Sequence, residues 1–519
     1  MINKKKNIIK ITTAVIALFF VFLLCAHWFV KYKINQQLQY NLPQHITINY
    51  NSISLNLLLG NVGLDKISFK EKSKGNNKTK TVLKAAKIAI KDLSYIDLLF
   101  YKKLSLNKLK ITSPELTKYT VLDTITSYKE EKKEGIFTNP ISISEFRITN
   151  GNITFLNAQK TTTAKAEHIF INLKDVVFKA DKEKNTNPLE YKYSNISAHK
   201  LYANLGKFEE INAEKLKAQN ESILFKNLQL KTKYTKEELS KKITIERDFI
   251  NLKIKELALE NTSFSYSKLT SLLNISKVYI AKPNLEVYRD KLIADDFSYK
   301  PMYSKMLRDL SLKIGVDSIL IQQGNIAYQE KLTQHIKPQK LSFNNINATI
   351  SNLNNYNNKT TTVHTNSLLM NKTPLELNWS FNIHKTTDFF KAWGSFTNLD
   401  IASINPFLNT NLRATAEGDM QQMYFTVSGN KQKSAGDLKI KYNNFKFKVL
   451  KKDRLGVNKL LTKLGNLLIK EGSKANPEDY RYGEIEVERD TTKSFFNYLW
   501  INVKAGLLDA LTGKGTKKH

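Results

Sequence analysis

From Tyr50 onward, apolar residues recur at every second position. Ile53/Leu55/Leu57, Ile88/Ile90, Leu104/Leu106, Ile169/Ile171/Leu173 and Phe445/Phe447/Val449 show it, with mostly Lys, Asn, Ser or Thr between. A period of two places successive side chains on opposite faces of an extended chain. The pattern therefore predicts many strands, each with one apolar and one polar face. Helical periodicity is rare before the C-terminus.

One short pattern recurs five times: apolar, two residues, apolar, one residue, apolar, a turn, then an alternating pair. The copies are Leu106–Leu116, Ile143–Phe155, Ile254–Tyr266, Ile275–Val287 and Val316–Tyr328. Five copies in one register indicate a repeat. Asn150-Gly151 is a strong two-residue hairpin signal, with φ > 0 expected at Gly151. Hairpins at Asn150-Gly151, Asn261-Thr262 and Gln323-Gly324 predict six facing pairs on one side of the sheet. These are Phe146 with Phe155, Ile148 with Ile153, Leu257 with Tyr266, Leu259 with Phe264, Ile319 with Tyr328, and Ile321 with Ile326. The three-residue step from Ile143 to Phe146 would flip the face of a regular strand, so a bulge or chain reversal is expected there. The copies containing Pro114 and Pro283 need a different loop geometry.

The chain ends differ from this pattern. Ile11 to Val30 is a 20-residue run without formal charge, long enough for a bilayer core. Lys4, Lys5, Lys6 and Lys10 precede it and Lys31 and Lys33 follow, which predicts a cytoplasmic N-terminus and a long translocated remainder. Leu24 and Ala26 make a poor cleavage site, and Leu24 before Cys25 does not fit a lipoprotein signal. The expected organisation is a cytoplasmic N-terminus (1–10), an uncleaved anchor (11–30), a repeating β region (31–450) and an amphipathic helical segment with a basic tail (451–519). Short helices are expected within Tyr234–Arg247 and Tyr303–Asp309. In the last segment, Val457–Ile469 gathers leucines on one helical face. Ser494–Leu511 places Phe496, Leu499, Trp500, Val503, Leu507 and Leu511 on another. Those helices either plug the end of the sheet or meet a membrane surface or partner.

The fold class that follows is mainly β. An N-terminal transmembrane helix leads into an elongated antiparallel meander curled into a groove, with short amphipathic helices near the C-terminus. Its continuous apolar face needs a cover, either a second layer of the protein itself or a ligand with acyl chains.

Charge and composition narrow the function. Lys plus Arg exceeds Asp plus Glu by 81 − 47 = 34, but only eight of the basic residues are Arg. Reading of bases and phosphates favours the Arg fork, so nucleic acid is not an expected partner. A single cysteine excludes an intramolecular disulfide framework. The eight histidines show no metal-ligand spacing, and no nucleophile elbow or phosphate-cradling glycine loop is present, so neither an enzyme nor a cofactor is expected.

The order of the segments resembles the AsmA-like proteins of the Gram-negative envelope, including the TamB-type repeating β-groove proteins. The residues that carry the resemblance are the anchor, Ile46–Phe69, Ala85–Leu116, Trp393–Leu408 and Glu417–Leu450. The acidic, Gly-rich outer-membrane module of TamB has no counterpart. The resemblance implies an inner-membrane-anchored periplasmic protein that carries phospholipid or another acyl-chain lipid for outer-membrane biogenesis, with an outer-membrane or envelope protein as a possible partner. The twelve paired residues above are then the candidate lipid-groove positions. The competing expectation is a non-catalytic scaffold with a sealed β core.

Overall fold

The computed structural model describes residues 21, 24–36, 38, 42–73, 76–101, 103–121, 140–179, 189–266, 271–450 and 479–512. The fold is mainly β, with 23 strands in one mixed sheet and six helices among these residues. Two compact units divide the chain, 1–204 with 212–220, and 205–211 with 221–519.

The first unit begins with helix α1 (24–36). Its strands are β1 (Ile46–Asn49), β2 (Ser52–Asn56), β3 (Asn61–Lys72), β4 (Thr79–Leu93), β5 (Leu104–Thr112), β6 (Glu115–Tyr119), β7 (Ile141–Leu156), β8 (Thr162–Phe178), β9 (Leu189–Glu190) and β10 (Tyr193–Asn204). Helix α2 (Tyr95–Phe100) lies between β4 and β5, and β11 (Glu209–Gln219) has residues in both units.

The second unit holds β12 (Ser222–Thr232), α3 (Lys236–Lys242), β13 (Phe249–Tyr266), β14 (Ser271–Ala281), β15 (Asn284–Asp290), α4 (Tyr303–Arg308) and β16 (Lys313–Lys331). It continues with β17 (Lys340–Asn354), β18 (Thr361–Leu369), β19 (Thr373–Phe381), β20 (Phe390–Leu399), α5 (Ile401–Leu412), β21 (Ala414–Gly429), β22 (Lys433–Val449), β23 (Arg481–Glu488) and α6 (Phe495–Thr512). The expected short helices are α3 and α4. Helix α3 starts at a capping box, in which Thr235 Oγ1 accepts from the Glu238 amide and Glu238 Oε2 accepts from the Thr235 amide.

Three expectations need correction. The sheet is mixed rather than an antiparallel meander. β5 and β6 both run parallel to β7, and β14 and β15 both run parallel to β16. Parallel neighbours need a long crossover, and residues 120–140 and 291–312 supply the two connections. Secondly, the predicted hairpins are absent. Ile143–Phe155 lies within the single strand β7, Val316–Tyr328 within β16 and Ile254–Tyr266 within β13. Thirdly, the left-handed residue is Asn150 (φ 54°), not Gly151.

What looked like a turn is a bulge in a continuing strand. Between Ile148 and Gly151 β7 carries one residue more than β8, and between Gly151 and Ile153 β8 carries one more than β7. The compensating residue in β8 is His168, at φ 51°. β16 and β17 repeat this arrangement, with shifts either side of Gly324 and left-handed residues at Gln323 (φ 54°) and Asn345 (φ 47°). Asn is among the few residues that enter the left-handed region at low cost, so Asn-Gly marks a bulge as readily as a hairpin.

The proline copies follow the same logic. Ser113-Pro114 interrupts what would otherwise be one strand, since β5 and β6 both pair with β4. Ser113 (φ 46°) stands beside Asn150, because Thr112 neighbours Thr149 and Glu115 neighbours Asn152. Here the Ser113 amide donates to the Thr149 carbonyl at 2.8 Å, and the Asn152 amide donates to the Pro114 carbonyl at 2.7 Å. In the second unit the Lys282 amide donates to Gln322 at 2.8 Å and the Asn325 amide to Pro283 at 2.7 Å. Proline is accommodated because only its carbonyl is needed at this point of the ladder. The copies Leu106–Leu116 and Ile143–Phe155, and again Ile275–Val287 and Val316–Tyr328, therefore lie side by side in parallel and in register, whereas Ile254–Tyr266 runs antiparallel to Ile275–Val287.

Most of the predicted anchor, the Val457–Ile469 helix and the basic tail lie outside the described residues. Among the described residues no helix is long and apolar enough to cross a membrane. The segment 451–519 is not helical throughout, since β23 pairs with β22. The buried face of α6 is also rotated from the expected one. Phe495, Tyr498, Leu499, Asn502, Gly506, Ala510 and Leu511 are buried, while Phe496 and Trp500 are exposed.

Candidate functional site

The candidate site is the apolar face that the repeats create. In the first unit Ile143 and Phe146 share a cluster with Leu104, Leu106, Leu109, Ile171, Leu173 and Val176. The three-residue step from Ile143 to Phe146 thus keeps both side chains on one face. β8 makes the same step from Leu173 to Val176, and Asp175 between them is left-handed at φ 52°. Further along, the Cβ that Gly151 lacks would lie 3.2 Å from Ile148 Cγ2 and 3.5 Å from Ile169 Cβ. The bulge at Asn150 therefore carries the row Phe146–Ile148–Gly151 onto Ile153 and Phe155 without changing sides.

The pairings differ from those a hairpin would give. Phe146 lies opposite Leu173, Ile148 opposite Ile171, Ile153 opposite Ala166 and Phe155 opposite Ala164. All four predicted residues are half-buried.

The second unit repeats the arrangement. Leu257, Leu259 and Ile319 pack with Ile275, Val278 and Val316. Leu257 faces Ile280, Leu259 faces Val278, Phe264 faces Leu273, and Tyr266 is in register with Ser271. Ile319 faces Ile350, Ile321 faces Ala348, Ile326 faces Phe343 and Tyr328 faces Leu341. Phe264 is 54% exposed, while Leu257, Leu259, Ile319, Ile321, Ile326 and Tyr328 are half-buried.

A polar lattice adjoins Tyr328. Burial, with the Glu330 carboxylate that accepts its hydroxyl, pushes the Tyr328 pKa up. Beside it in β15, burial and then Asp290 raise Tyr288 to about 12. Burial works against the Arg289 guanidinium, but paired bonds of 2.7 and 2.8 Å to Asp248 hold its pKa above the usual value. Lys291 reaches the buried Glu246 at 2.7 Å. These charges are matched, and they bound the apolar run rather than interrupt it.

The end of the second unit is built differently. There α6 lies on β22 and β23, and Leu438, Ile440, Tyr442 and Ile485 are at most 1% exposed. Two glycines allow the close approach: a Cβ on Gly483 would stand 2.0 Å from the Gly506 carbonyl oxygen, and one on Gly506 would stand 2.7 Å from Ile485 Cγ1. For this helix the plug alternative is the one observed, and the close glycine contacts that seal it are what sequence reasoning missed. Their signal was the pair of small residues Gly506 and Ala510, one turn apart on a helix opposite Gly483. In the first unit, by contrast, the broad element contacts among the described residues are between ladder neighbours, together with α2 against β5.

The face offers side chains that would accept hydrocarbon. It gathers no nucleophile with a base, and among the described residues no group of His, Cys, Asp or Glu is arranged to hold a metal ion. Neither a protein-family model nor a curated protein matches the chain.

Proposed function

We propose that the chain is a membrane-anchored, non-catalytic carrier whose apolar sheet face takes the acyl chains of phospholipid or a related lipid. The observation that carries this reading is the contrast in burial. The repeat face buries Leu106, Ile143, Leu173, Ile275 and Val316 but leaves Phe146, Ile148, Ile153, Phe155, Ile319, Ile321 and Ile326 half-buried, whereas the strands under α6 form a sealed core. An apolar row left partly open along successive repeats suits a ligand with hydrocarbon tails. The charge-free run Ile11–Val30 and its flanking lysines support an anchor with the sheet outside the cytoplasm. The resemblance to AsmA-like proteins supports a place in the Gram-negative inner membrane and a role in outer-membrane biogenesis, with an envelope protein as partner.

The second reading, a scaffold with a closed core, draws on the sealed strands under α6. Photo-crosslinking separates the two. A benzoyl-phenylalanine placed at Ile148 or Ile321 of the full chain should form lipid adducts in cells, and one at the exposed Gln322 should not. Adducts with protein only, or equal labelling at all three positions, would favour the scaffold.

A further inference from the structure

Outside α1, the most exposed apolar side chains of the first unit gather where a turn and a short helix are stitched together. Leu58 is 71% exposed and Leu59 58% in the turn between β2 and β3, and Ile96 is 65%, Phe100 78% and Tyr101 69% in and after α2. The stitching is firm. The Tyr95 hydroxyl donates to the Leu57 carbonyl at 2.8 Å, and the Leu93 amide donates to the Gly60 carbonyl at 3.0 Å. Gly60 holds φ 62°, and a Cβ there would stand 2.7 Å from the Leu93 nitrogen. Ser94 caps α2 by accepting from the Asp97 amide at 3.2 Å, and the Lys103 amide donates to the Asp97 carbonyl at 2.9 Å. The polar groups of this corner are thus largely paired within it, and its outward surface is hydrocarbon. A fixed apolar patch of this kind marks an interaction surface.

We propose that this corner rests in the interfacial layer of the bilayer that holds the apolar segment 11–30, as a second contact with that membrane. The inference rests on the anchor in the functional reading above and not on lipid carriage. Continuity of the chain identifies the occupant. Helix α1 continues from the apolar segment, and its Asn35 side chain accepts a hydrogen bond from the Tyr50 hydroxyl. Tyr50 lies seven residues before Leu57, about 23 Å along an extended chain, so β2 leads from the end of α1 to the patch. Charge agrees with this placement. Lys91, Lys102 and Lys103 outnumber Asp92 and Asp97 along this stretch of sequence, and a mixture of Tyr, Phe, Leu and Ile with that small basic excess suits the boundary of an anionic bilayer.

The test uses the full chain in a Cys25→Ser background, which removes the single cysteine. Leu58→Cys and Phe100→Cys are labelled with an environment-sensitive nitrobenzoxadiazole dye, and the protein is reconstituted into vesicles of phosphatidylethanolamine and phosphatidylglycerol. Gln159→Cys, in the exposed turn between β7 and β8, is the control. The expected result is a blue-shifted emission at both patch sites, quenched by doxyl-labelled lipid and protected from iodide, with the reverse at Gln159. Dye at Leu58 and Phe100 that iodide quenches, in a chain that alkaline carbonate does not extract, overturns this proposal alone. Dye shielded from both quenchers places a second copy or another protein on the patch and also overturns it. A chain that carbonate extracts overturns the anchor and this proposal together.

Discussion

Pro283 Cγ lies 3.1 Å from the point where a Cβ on Gly324 would stand. The two residues belong to consecutive copies of the repeat, in strands that run side by side. Pro114 and Gly151 repeat the contact in the first unit at 3.2 Å. A glycine is needed because the neighbouring strand places a rigid pyrrolidine ring against it. Gly324→Ala should therefore destabilise the chain by about 1–2 kcal/mol through overpacking against Pro283 and Ile346. Adding Pro283→Ala should recover part of the loss, a coupling of about 0.5 kcal/mol or more in a double-mutant cycle by urea denaturation. Strictly additive effects would show that the contact is not the cause.

The bulge itself has a separate test at Gln323. Its φ of 54° lies in the region that β-branched residues avoid, and its amide donates to Asn347 Oδ1 at 3.2 Å. Gln323→Gly keeps that amide and removes the steric penalty, so it should stabilise by roughly 0.5–1 kcal/mol. Gln323→Val should destabilise by about 1–2 kcal/mol. If both variants shifted stability in the same direction, the left-handed bulge would be in doubt.

These residues also show how far the fold is legible in the sequence. Period-two alternation locates the strands, but the three-residue step from Ile143 to Phe146 is neither the bulge nor the chain reversal expected there, since β7 and β8 take it together without a change of register. Asn150-Gly151 is ambiguous, because a left-handed Asn serves a hairpin and a bulge equally. Pro114 and Pro283 hold the deciding clue: a site shared by Asn-Gly, Gln-Gly and X-Pro suits a bulge better than one hairpin type. The parallel pairing is not legible, since the crossovers at 120–140 and 291–312 resemble polar linkers. On α6 the larger residues Phe496 and Trp500 dominate the apolar pattern, yet close packing against Gly483 selects Gly506 and Ala510.

An ion pair on the polar side gives a pH prediction. Lys108 Nζ lies 2.6 Å from Glu145, and Arg147 contacts the same carboxylate. The Lys108 hydrogen bond, with the Arg147 charge added, holds the Glu145 pKa below its ordinary value of 4.5 despite partial burial. A depressed carboxylate pKa contributes stability that is present above 4.5 and lost as pH falls through the folded value. Glu145→Gln should lower the melting temperature at pH 7, and the gap should close as pH falls below 4.5. A gap that is constant with pH would remove the ion pair from the account.

The sealed end predicts a different sensitivity. Gly506→Ala brings a methyl group to 2.7 Å from Ile485 Cγ1 and 2.8 Å from Leu438 Cβ, both buried. The substitution should cost about 1–3 kcal/mol, despite the higher helix propensity of alanine. A stabilised variant, measured by thermal denaturation, would mean that α6 does not pack on β22 and β23 this closely.

The central claim is that the repeat face is open to lipid while the end of the sheet is closed. It is tested most directly by comparing one buried charge in each place, reading stability and bound lipid together on the full chain. Ile440 is 0% exposed under α6, and Ile321 is half-buried on the repeat face. Ile440→Asp should fail to fold, because it buries an unpaired charge at a cost of several kcal/mol. Ile321→Asp should fold, with most of the lipid that mass spectrometry finds on the unmodified protein lost. If the unmodified protein carries no lipid and Ile321→Asp unfolds as completely as Ile440→Asp, the repeat face is a closed core and the carrier reading is wrong.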